Sequence, residues 1–286
     1  MIKKIVIYAL SWFGIKAKEV ENKNEFRSFI RTRRKYKKFK PYKLHDLKIG
    51  DLNIITSNVG SAIQVYEDVF VNETHKVTFN NTKPLIYDLG AHIGMVSLYY
   101  KQKYPQAIIK AFEPNPVVFK CLQQNMISSK LQNVSVFNQA ISYENGSLDF
   151  YCDKGGQVSS FIKPGDFETE TQKIESVRLK DLIDKESRQI DLIKMDIEGV
   201  ELEVLIDCDT SLQKVDRLVV EYHSYKKNNQ KLSQFFSVLE KNGFRYMIKP
   251  NSSADFDLHN LNYNKSHFDM IIHIEAIQKN LLSTIQ

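Results

Sequence analysis

The segment LIYDLGAHIG, residues 85–94, decides the fold of this chain of 286 residues. Its apolar start predicts a strand, its two glycines predict a tight turn, and residues 95–104 predict a helix. A strand, a turn and a helix in this order open nucleotide-binding α/β folds, in which an acidic residue about 20 positions later holds the ribose hydroxyls. Glu113 stands 25 residues after Asp88. The segment therefore predicts a turn that binds a nucleoside cofactor.

Two departures from the dinucleotide-binding pattern indicate which cofactor the turn binds. The glycines follow G-x-x-x-G instead of G-x-G-x-x-G, and Asp88 ends the strand directly before the turn. A carboxylate there would repel a pyrophosphate but attract an ammonium group, such as the methionine end of S-adenosylmethionine carries. We therefore expect S-adenosylmethionine. The alternative is that Gly90 and Gly94 only permit close packing of the strand and the helix.

Beyond residue 84, strand-like and helix-like segments alternate. This alternation predicts an α/β fold with a mostly parallel, Rossmann-like sheet and helices on both faces. A hairpin inserted between the third and fourth strands is expected from LDFYC and SSFIK around Gly155-Gly156. The predicted strands are 85–89, 107–113, 134–141, 190–196, 216–222, 244–249 and 268–274, and the predicted helices are 94–104, 116–128, 198–206 and 230–242.

The segment before the main domain is expected to be a small β-rich layer. Its strand-like pieces are LKIGDLNIIT, SAIQVYEDVF and HKVTF, and Gly50 and Gly60 mark the turns between them. The predicted domains are a basic N-terminal arm at 1–43, this lead-in at 44–83 and the main domain at 84–286.

The net charge of +6 is concentrated in the arm. Residues 1–43 hold 14 Lys or Arg against three Glu, a local charge of +11, so the rest of the chain sums to −5. The apolar stretch 5–15 is too short to span a bilayer as a helix. We interpret it as a helix that packs on the body or on a partner chain, as in a homo-oligomer, or as an interfacial membrane helix. The basic stretch 31–43 is a solvated surface, or it contacts an anionic membrane or nucleic acid.

The cysteines indicate the compartment. Cys121, Cys152 and Cys208 are odd in number, scattered, and share no metal-ligand spacing. This favours a reducing compartment and argues against a disulfide or zinc framework. We expect a cytoplasmic protein whose arm can contact the inner membrane surface.

Polar residues cluster where predicted strands end, which is the edge at which open α/β sheets bind ligands. In KMDIEGVE, residues 194–201, a Lys lies inside an apolar strand, where it is costly unless paired, and three carboxylates follow. Asp196 is expected to face the crevice. Glu198 and Glu201 either share that crevice or only favour the start of the next helix through its dipole.

A second cluster, VVEYH at residues 219–223, ends the next predicted strand. His223 is the readiest general base near neutral pH, although a single His at a strand end is often only structural. The rival interpretation is a divalent metal site, and we favour a proton-accepting role without a metal. The predicted catalytic residues are Asp196, Glu221, His223 and Glu198.

Together these motifs resemble the FkbM family of S-adenosylmethionine-dependent methyltransferases over roughly residues 84–275. The resemblance implies a class I methyltransferase fold, a seven-stranded sheet whose last strand is antiparallel. It also implies O-methylation, commonly of hydroxyls on sugars or natural products. The motifs are D-x-G-A-H-x-G at 88–94, F-E-P-N-P at 112–116, N-x-A at 138–140, K-x-D-x-E-G-x-E at 194–201 and E-x-H at 221–223.

The motifs and the resemblance together assign roles around the cofactor. Asp88 is expected near its amino-acid end, Glu113 at the ribose hydroxyls, and Gln139 with Ala140 at the adenine. The predicted cofactor-binding residues are Asp88, Gly90, Ala91, His92, Gly94, Glu113, Pro114, Asn115, Gln139, Ala140 and Asp196.

The expected acceptor is a small molecule or a glycan. The basic arm would also suit a nucleic-acid methyltransferase. Against that, the chain has no Asn/Asp-Pro-Pro-Tyr/Phe element for base amino groups and no Pro-Cys nucleophile, and its body is acidic. A non-catalytic interaction protein on the same fold is disfavoured by the intact set of carboxylates.

Overall fold

The computed structural model describes most of the chain beyond the arm. The described residues are 43–152, 159–160, 170–225, 228–249, 253–254 and 268–282, with positions 32, 34 and 35. The predicted arm thus lies outside the described residues, apart from those three helical positions and Lys43. Thr32 is buried and donates a hydrogen bond to the main-chain oxygen of Lys48 (2.8 Å). No helix in these ranges is both long and apolar enough to cross a bilayer.

The strands and helices are numbered in chain order. The strands are β1 (His45–Ile49), β2 (Leu52–Thr56), β3 (Leu85–Leu89), β4 (Ile108–Phe112), β5 (Val134–Phe137), β6 (Ala140–Ser142), β7 (Gly146–Cys152), β8 (Ser159–Ser160), β9 (Glu170–Arg178), β10 (Leu192–Met195), β11 (Arg217–Tyr225), β12 (Phe244–Ile248), β13 (Ser253–Ala254) and β14 (Phe268–Gln278). The helices are α1 (Val59–Tyr66), α2 (Met95–Lys103), α3 (Pro116–Ser128), α4 (Leu179–Asp184), α5 (Glu201–Cys208), α6 (Leu232–Lys241) and α7 (Lys279–Leu282).

A seven-stranded sheet in the order β12-β14-β11-β10-β3-β4-β5 forms the centre of the molecule. β3 pairs in parallel with β4 and β10, whereas β14 is antiparallel to both of its neighbours, β11 and β12. The short β13 adds to β14. The mostly parallel sheet with an antiparallel last strand, expected from the sequence, is confirmed.

The two faces of the sheet are buried in separate apolar clusters. Ile86 packs with α2 and α3, whereas Leu85 and Tyr87, pointing the opposite way on the same strand, pack with α4, α5 and α6. Each fully buried aliphatic side chain contributes about 1.5–3 kcal/mol. Helices therefore cover both faces, as predicted.

The lead-in departs from the expected β-rich layer. β1 and β2 form the predicted hairpin, but SAIQVYEDVF forms α1 followed by a π-helical turn, Glu67–Val71, and HKVTF forms no strand. Asn58 caps α1 by accepting a hydrogen bond from the main-chain nitrogen of Ser61 (3.1 Å). The apolar residues repeat with helical spacing, and this outweighed their β-branched and aromatic character. They are Val59, Ala62, Ile63, Tyr66 and Val69.

The third predicted strand divides between two sheets. Residues 134–137 stay in the central sheet as β5, whereas β6 joins a second sheet in the order β6-β9-β7-β8. β7 pairs with β8 as the expected hairpin, although Gly155-Gly156 and most of SSFIK lie outside the described residues. This second sheet supplies Ile141 and Phe150 to the wall of the cavity described next.

Candidate functional site

A cavity of about 500 Å³ opens at the carboxyl ends of the parallel strands. The sequence-predicted residues that line it are Gly90, Ala91, His92, Glu113, Pro114, Gln139, Asp196, Glu198 and Glu221. The predicted residues that do not line it are Asp88, Gly94, Asn115, Ala140 and His223. The residues that follow the strands therefore converge as expected, but five of the predicted residues do not line the cavity.

The turn after β3 is held against its neighbours by close backbone packing. Gly90 has a φ of +72°, and a Cβ atom there would overlap the main-chain oxygen of Asp196. At Gly94, with a φ of +90°, a Cβ atom would lie 2.5 Å from the Cε atom of Met126 on α3. Both glycines thus serve packing, which was the alternative interpretation of the motif, and Gly90 also lines the cavity.

Glu113 directly follows β4 and is almost completely buried. Its two carboxylate oxygens accept hydrogen bonds from the main-chain nitrogens of His92 and Asn115, each at 2.8 Å. A carboxylate has about four lone-pair sites, so acceptor capacity is left for a ligand. Burial raises the pKa of Glu113 to about 7, although both main-chain donors favour the ionised form.

Asp88 lies beneath the turn and is 0% exposed. Ser97 donates a hydrogen bond to its Oδ2 atom (2.7 Å), and the Nζ atom of Lys194 lies 3.8 Å from its Oδ1 atom. Burial raises the pKa of Asp88, and the nearby ammonium opposes this shift. The cation beside Asp88 is therefore part of the chain, so direct contact with the ammonium group of a cofactor, as the sequence suggested, does not fit its position.

Lys194 is the buried lysine that the sequence predicted to be paired. It donates hydrogen bonds to the main-chain oxygens of Gly90 (2.6 Å) and Leu89 (3.3 Å). Its Nζ atom also lies 3.6 Å from the Oδ2 atom of Asp196. Lys194 thus ties the turn after β3 to the end of β10.

His223 connects the carboxylates that follow β10 with Glu221, which lies within β11. Its Nδ1 atom lies 3.0 Å from the Oε1 atom of the fully buried Glu201, and its Nε2 atom lies 3.4 Å from Glu221 Oε1. The same Nε2 atom is 3.9 Å from Asp196 and 4.0 Å from Glu198. His223 is therefore surrounded by the other three predicted catalytic residues, Asp196, Glu198 and Glu221.

The charges in this cluster follow from their mutual contacts. Burial disfavours the charged form of His223, but Glu201 and Glu221 raise its pKa well above the usual value. For Glu221, burial is outweighed by His223 and His273, which lower its pKa. Burial, reinforced by neighbouring carboxylates, raises the pKa of Glu198 to about 8. At neutral pH the imidazole of His223 is thus protonated and Glu221 is ionised.

The same geometry bears on the rival metal interpretation. Ligating atoms of Asp196, Glu221 and His223 lie within 4.8 Å of one another. A metal would have to displace the proton of His223 Nε2, which the raised pKa makes more costly, and would compete with the ammonium of Lys194 for Asp196. We therefore favour a cluster without a metal, in which His223 and Lys194 offset part of the carboxylate charge.

Two parts of the site are not among the residues predicted from the sequence. His273, on β14, lies opposite Glu221 in the antiparallel pairing, with its Nδ1 atom 3.4 Å from Glu221 Oε2. The other part is the face of α1 and the π-helical turn that bears Ser61, Gln64 and Asp68. Only the antiparallel register reveals the first, whereas the helical spacing of residues 59–69 was readable in the sequence.

Comparison with known proteins identifies the family. The family model described as the methyltransferase FkbM domain matches residues 88–246. The chain belongs to the FkbM methyltransferase family. Its fold is accordingly the class I methyltransferase fold, as the resemblance implied.

This FkbM-family methyltransferase has several named relatives. It is 28% identical over 215 residues to Methyltransferase 1 of Beauveria bassiana, covering 68% of this chain and 85% of that one. Methyltransferase sdnD of Sordaria araneosa is 30% identical over 187 residues, covering 54% and 72%. The 31-O-demethyl-FK506 methyltransferase FkbM of Streptomyces tacrolimicus is 26% identical over 220 residues, covering 65% and 83%.

S-adenosylmethionine is the cofactor of this methyltransferase, and the cavity fits it. Glu113 has acceptor capacity left for hydroxyls, and Phe112, Ile141 and Phe150 offer an apolar wall for a base. The Nδ1 atom of His92 is buried and has no hydrogen-bond partner among the described residues. Burial lowers the pKa of His92 to about 4, so its ring is neutral at physiological pH.

Proposed function

We propose that this enzyme methylates a hydroxyl group of a sugar, a glycan or another natural product. The observation that carries the proposal is a single cavity in which the turn after β3 and the ionised carboxylate of Glu221 share one space. When bound, S-adenosylmethionine supplies a sulfonium methyl group that an acceptor oxygen can displace in line. The Streptomyces tacrolimicus relative is named for methylation at an oxygen of its own substrate.

The residues around the turn would hold the cofactor in this proposal. Glu113 would accept hydrogen bonds from the ribose hydroxyls, and Gln139 would border the adenine, as the sequence predicted. Pro114, Ala91 and His92 would contact it directly. The remaining predicted residues, Asp88, Gly94, Asn115 and Ala140, would act by fixing the backbone that the cofactor contacts.

Glu221 is our candidate for the group that takes the hydroxyl proton. A proton acceptor must be deprotonated at neutral pH, which argues against Glu198 and against the already protonated His223. Asp196 also lines the cavity, with Lys194 3.6 Å away, and is the second candidate. Glu221 lines the cavity, is ionised, and has an imidazole beside each of its oxygens.

The first test is to incubate the protein with methyl-labelled S-adenosylmethionine and fractionated cell extract, before and after dialysis against EDTA. We expect label in a hydroxyl-bearing acceptor, at the same rate after dialysis. Binding of S-adenosylhomocysteine without label in any fraction would contradict the proposed function. Loss of transfer on dialysis, reversed by magnesium, would contradict the metal-free interpretation of the cluster.

Glu221→Gln is expected to lower kcat by roughly 100-fold, because it removes the proton acceptor but keeps the shape of the side chain. The affinity for S-adenosylhomocysteine, measured by calorimetry, should change less than threefold. Glu240→Gln, on the outer helix α6, is the matched control and should keep wild-type activity. An unchanged kcat in Glu221→Gln would transfer the role to Asp196.

Cofactor affinity is expected to fall as the pH falls below about 7, the pKa to which burial raises Glu113. The ribose hydroxyls require the ionised carboxylate, so below this pKa the free protein must lose a proton before the cofactor binds. This requirement lowers the affinity by up to tenfold for each pH unit. Glu113→Gln should bind about 10- to 100-fold more weakly at pH 8 and show no such pH dependence. Calorimetry with S-adenosylhomocysteine from pH 5.5 to 8.5 measures both effects, and a pH-independent wild type would exclude this role for Glu113.

The predictions for the N-terminal arm are tested by separate experiments. Sedimentation with anionic vesicles, with and without residues 1–43, measures the predicted membrane contact. Light scattering of the same two proteins measures the predicted homo-oligomer. Filter binding to RNA at two salt concentrations tests the nucleic-acid alternative, which we do not favour.

A further inference from the structure

One wall of the cavity is an amphipathic segment, residues 59–71, which we call the α1 wall. It consists of α1 and the π-helical turn after it. Its apolar face, including Ala62, Ile63 and Tyr66, is buried in the core. Its other face presents Ser61, Gln64 and Asp68 to the cavity. These positions follow the i, i+3, i+7 spacing of one helical face, so the wall is a row of hydrogen-bonding side chains.

Asp68 lies at the end of this wall that is nearest to β11 and β14. The charges of Glu221 and His273 both affect its pKa, which burial raises. Its main-chain oxygen accepts hydrogen bonds from the nitrogen (3.0 Å) and the hydroxyl (2.9 Å) of Thr74. The main chain at Asp68 is therefore fixed, and its carboxyl group lies within electrostatic range of the proposed proton acceptor.

The α1 wall lies outside the matched part of the chain. The family match begins at residue 88, downstream of the whole wall, whereas the turn after β3, Glu113 and Glu221 all lie inside the match. We assign the turn and Glu113 to the cofactor, which leaves the side of the cavity between Glu221 and the α1 wall for the acceptor.

The charge of the cavity limits what can bind there. Its lining carries five carboxyl groups, those of Asp68, Glu113, Asp196, Glu198 and Glu221, and among the described lining residues only Lys194 carries an ammonium. Because burial raises the pKa of Glu198 to about 8 and that of Glu113 to about 7, the negative charge comes mainly from the other three. Two like charges 4 Å apart repel by about 1 kcal/mol in bulk water and by about 4 kcal/mol near a protein surface. An anionic acceptor placed between Asp68 and Glu221 would meet this repulsion, whereas hydroxyl and amino groups would donate hydrogen bonds to the same carboxylates.

We propose that the α1 wall is the acceptor site and that the acceptor is a neutral or amino-bearing sugar. In this arrangement Asp68 and Gln64 hold hydroxyl or amino groups adjacent to the hydroxyl that reacts beside Glu221. As that oxygen bonds the methyl carbon, the carbon–sulfur bond breaks with its electron pair on sulfur, and the hydroxyl proton passes to Glu221. This inference rests on the proposed methylation of a hydroxyl and adds the chemical class of the acceptor.

The test separates a cell extract into three pools: an organic phase, water-soluble anions retained on an anion exchanger, and the water-soluble flow-through. With methyl-labelled S-adenosylmethionine, the wild type is expected to label sugars in the flow-through. Asp68→Asn should raise the KM for that pool about tenfold and change kcat less than threefold. Asp51→Asn, in the exposed turn between β1 and β2, is the matched control and should behave as the wild type.

The outcomes distinguish this inference from the proposed function. Label mainly in retained anions or in the organic phase would overturn the neutral-sugar assignment while leaving methylation intact. A wild-type KM in Asp68→Asn, with an unchanged melting temperature, would overturn the role of the α1 wall. Binding of S-adenosylhomocysteine to Asp68→Asn with wild-type affinity is the expected readout that does not depend on activity. If the wild type labels no pool, the proposed function itself fails, and this inference fails with it.

Discussion

Gly90→Ala is expected to abolish cofactor binding and to lower the free energy of unfolding by about 4 kcal/mol, the upper end of single-substitution effects. The Cβ atom would overlap the main-chain oxygen of Asp196, which is backbone and cannot rotate away. The turn would have to separate from the end of β10, and the hydrogen bonds from Lys194 to the turn would break. Urea unfolding and calorimetry with S-adenosylhomocysteine measure the two effects.

Gly243→Ala is the matched control for this substitution. Its φ of +81° is close to the +72° of Gly90, so both variants have the same left-handed strain, about 1 kcal/mol. At Gly243, however, the nearest atom to the added Cβ is the end of the Gln278 side chain, at 3.2 Å, which can move. Equal losses of stability in the two variants would mean that the contact with Asp196 is not the cause.

Lys194→Met is expected to cost about 3–5 kcal/mol, because it leaves the fully buried carboxyl of Asp88 without its cation. The stability of this variant should also depend on pH, in a direction set by the pKa of Asp88. Burial raises the pKa of Asp88 above its ordinary 3.8, and removal of Lys194 raises it further. The folded variant then keeps its proton at a pH where the unfolded chain has lost it. The variant should therefore gain stability relative to the wild type as the pH falls towards 4.

Two further variants separate the loss of the charge beside Asp88 from the loss of a buried lysine in general. Lys101 is also a buried lysine, but its Nζ atom donates to two main-chain oxygens, at 2.6 and 2.9 Å, and not to a carboxylate. Lys101→Met should cost about 1.5 kcal/mol with no comparable pH dependence. Asp88→Asn combined with Lys194→Met should recover part of the loss, since no buried charge is left uncompensated. A double variant as unstable as the sum of its parts would show that the ion pair is not the source.

The central sheet could be predicted from the sequence because its strands are buried on both faces and read as short apolar runs. β3 and α3 were predicted at their observed bounds. Segment 61–70 was assigned to strands because Ile, Val, Tyr and Phe dominate it, yet the spacing of its apolar residues is that of a helix. Where composition and spacing disagree, spacing reports which side chains can be buried together, and here it determined the structure.

The sequence predicts which residues lie near the site, but not which side chains contact one another there. The sequence located the carboxylates at the strand ends, because parallel strands bring those ends together. It did not reveal that Lys194 would compensate Asp88, or that Glu201 would contact His223, because those pairs depend on side-chain directions between separate elements. His273 was missed for a related reason, since its position beside Glu221 is set by the register of β14.

The position of β14 has a consequence for how the enzyme matures. β14 is inserted between β11 and β12, although it follows both in the chain, and it brings His273 opposite Glu221 from 52 positions away. During synthesis the turn after β3 must wait for residues 194–196, which hold it in place, and the pairing of His273 with Glu221 must wait longer, until residues 268–278 have been made. Such distant pairings form slowly because a long loop must close first. Completion of the sheet therefore also completes the surroundings of Glu221, so we expect catalytic competence to follow the pairing of β14.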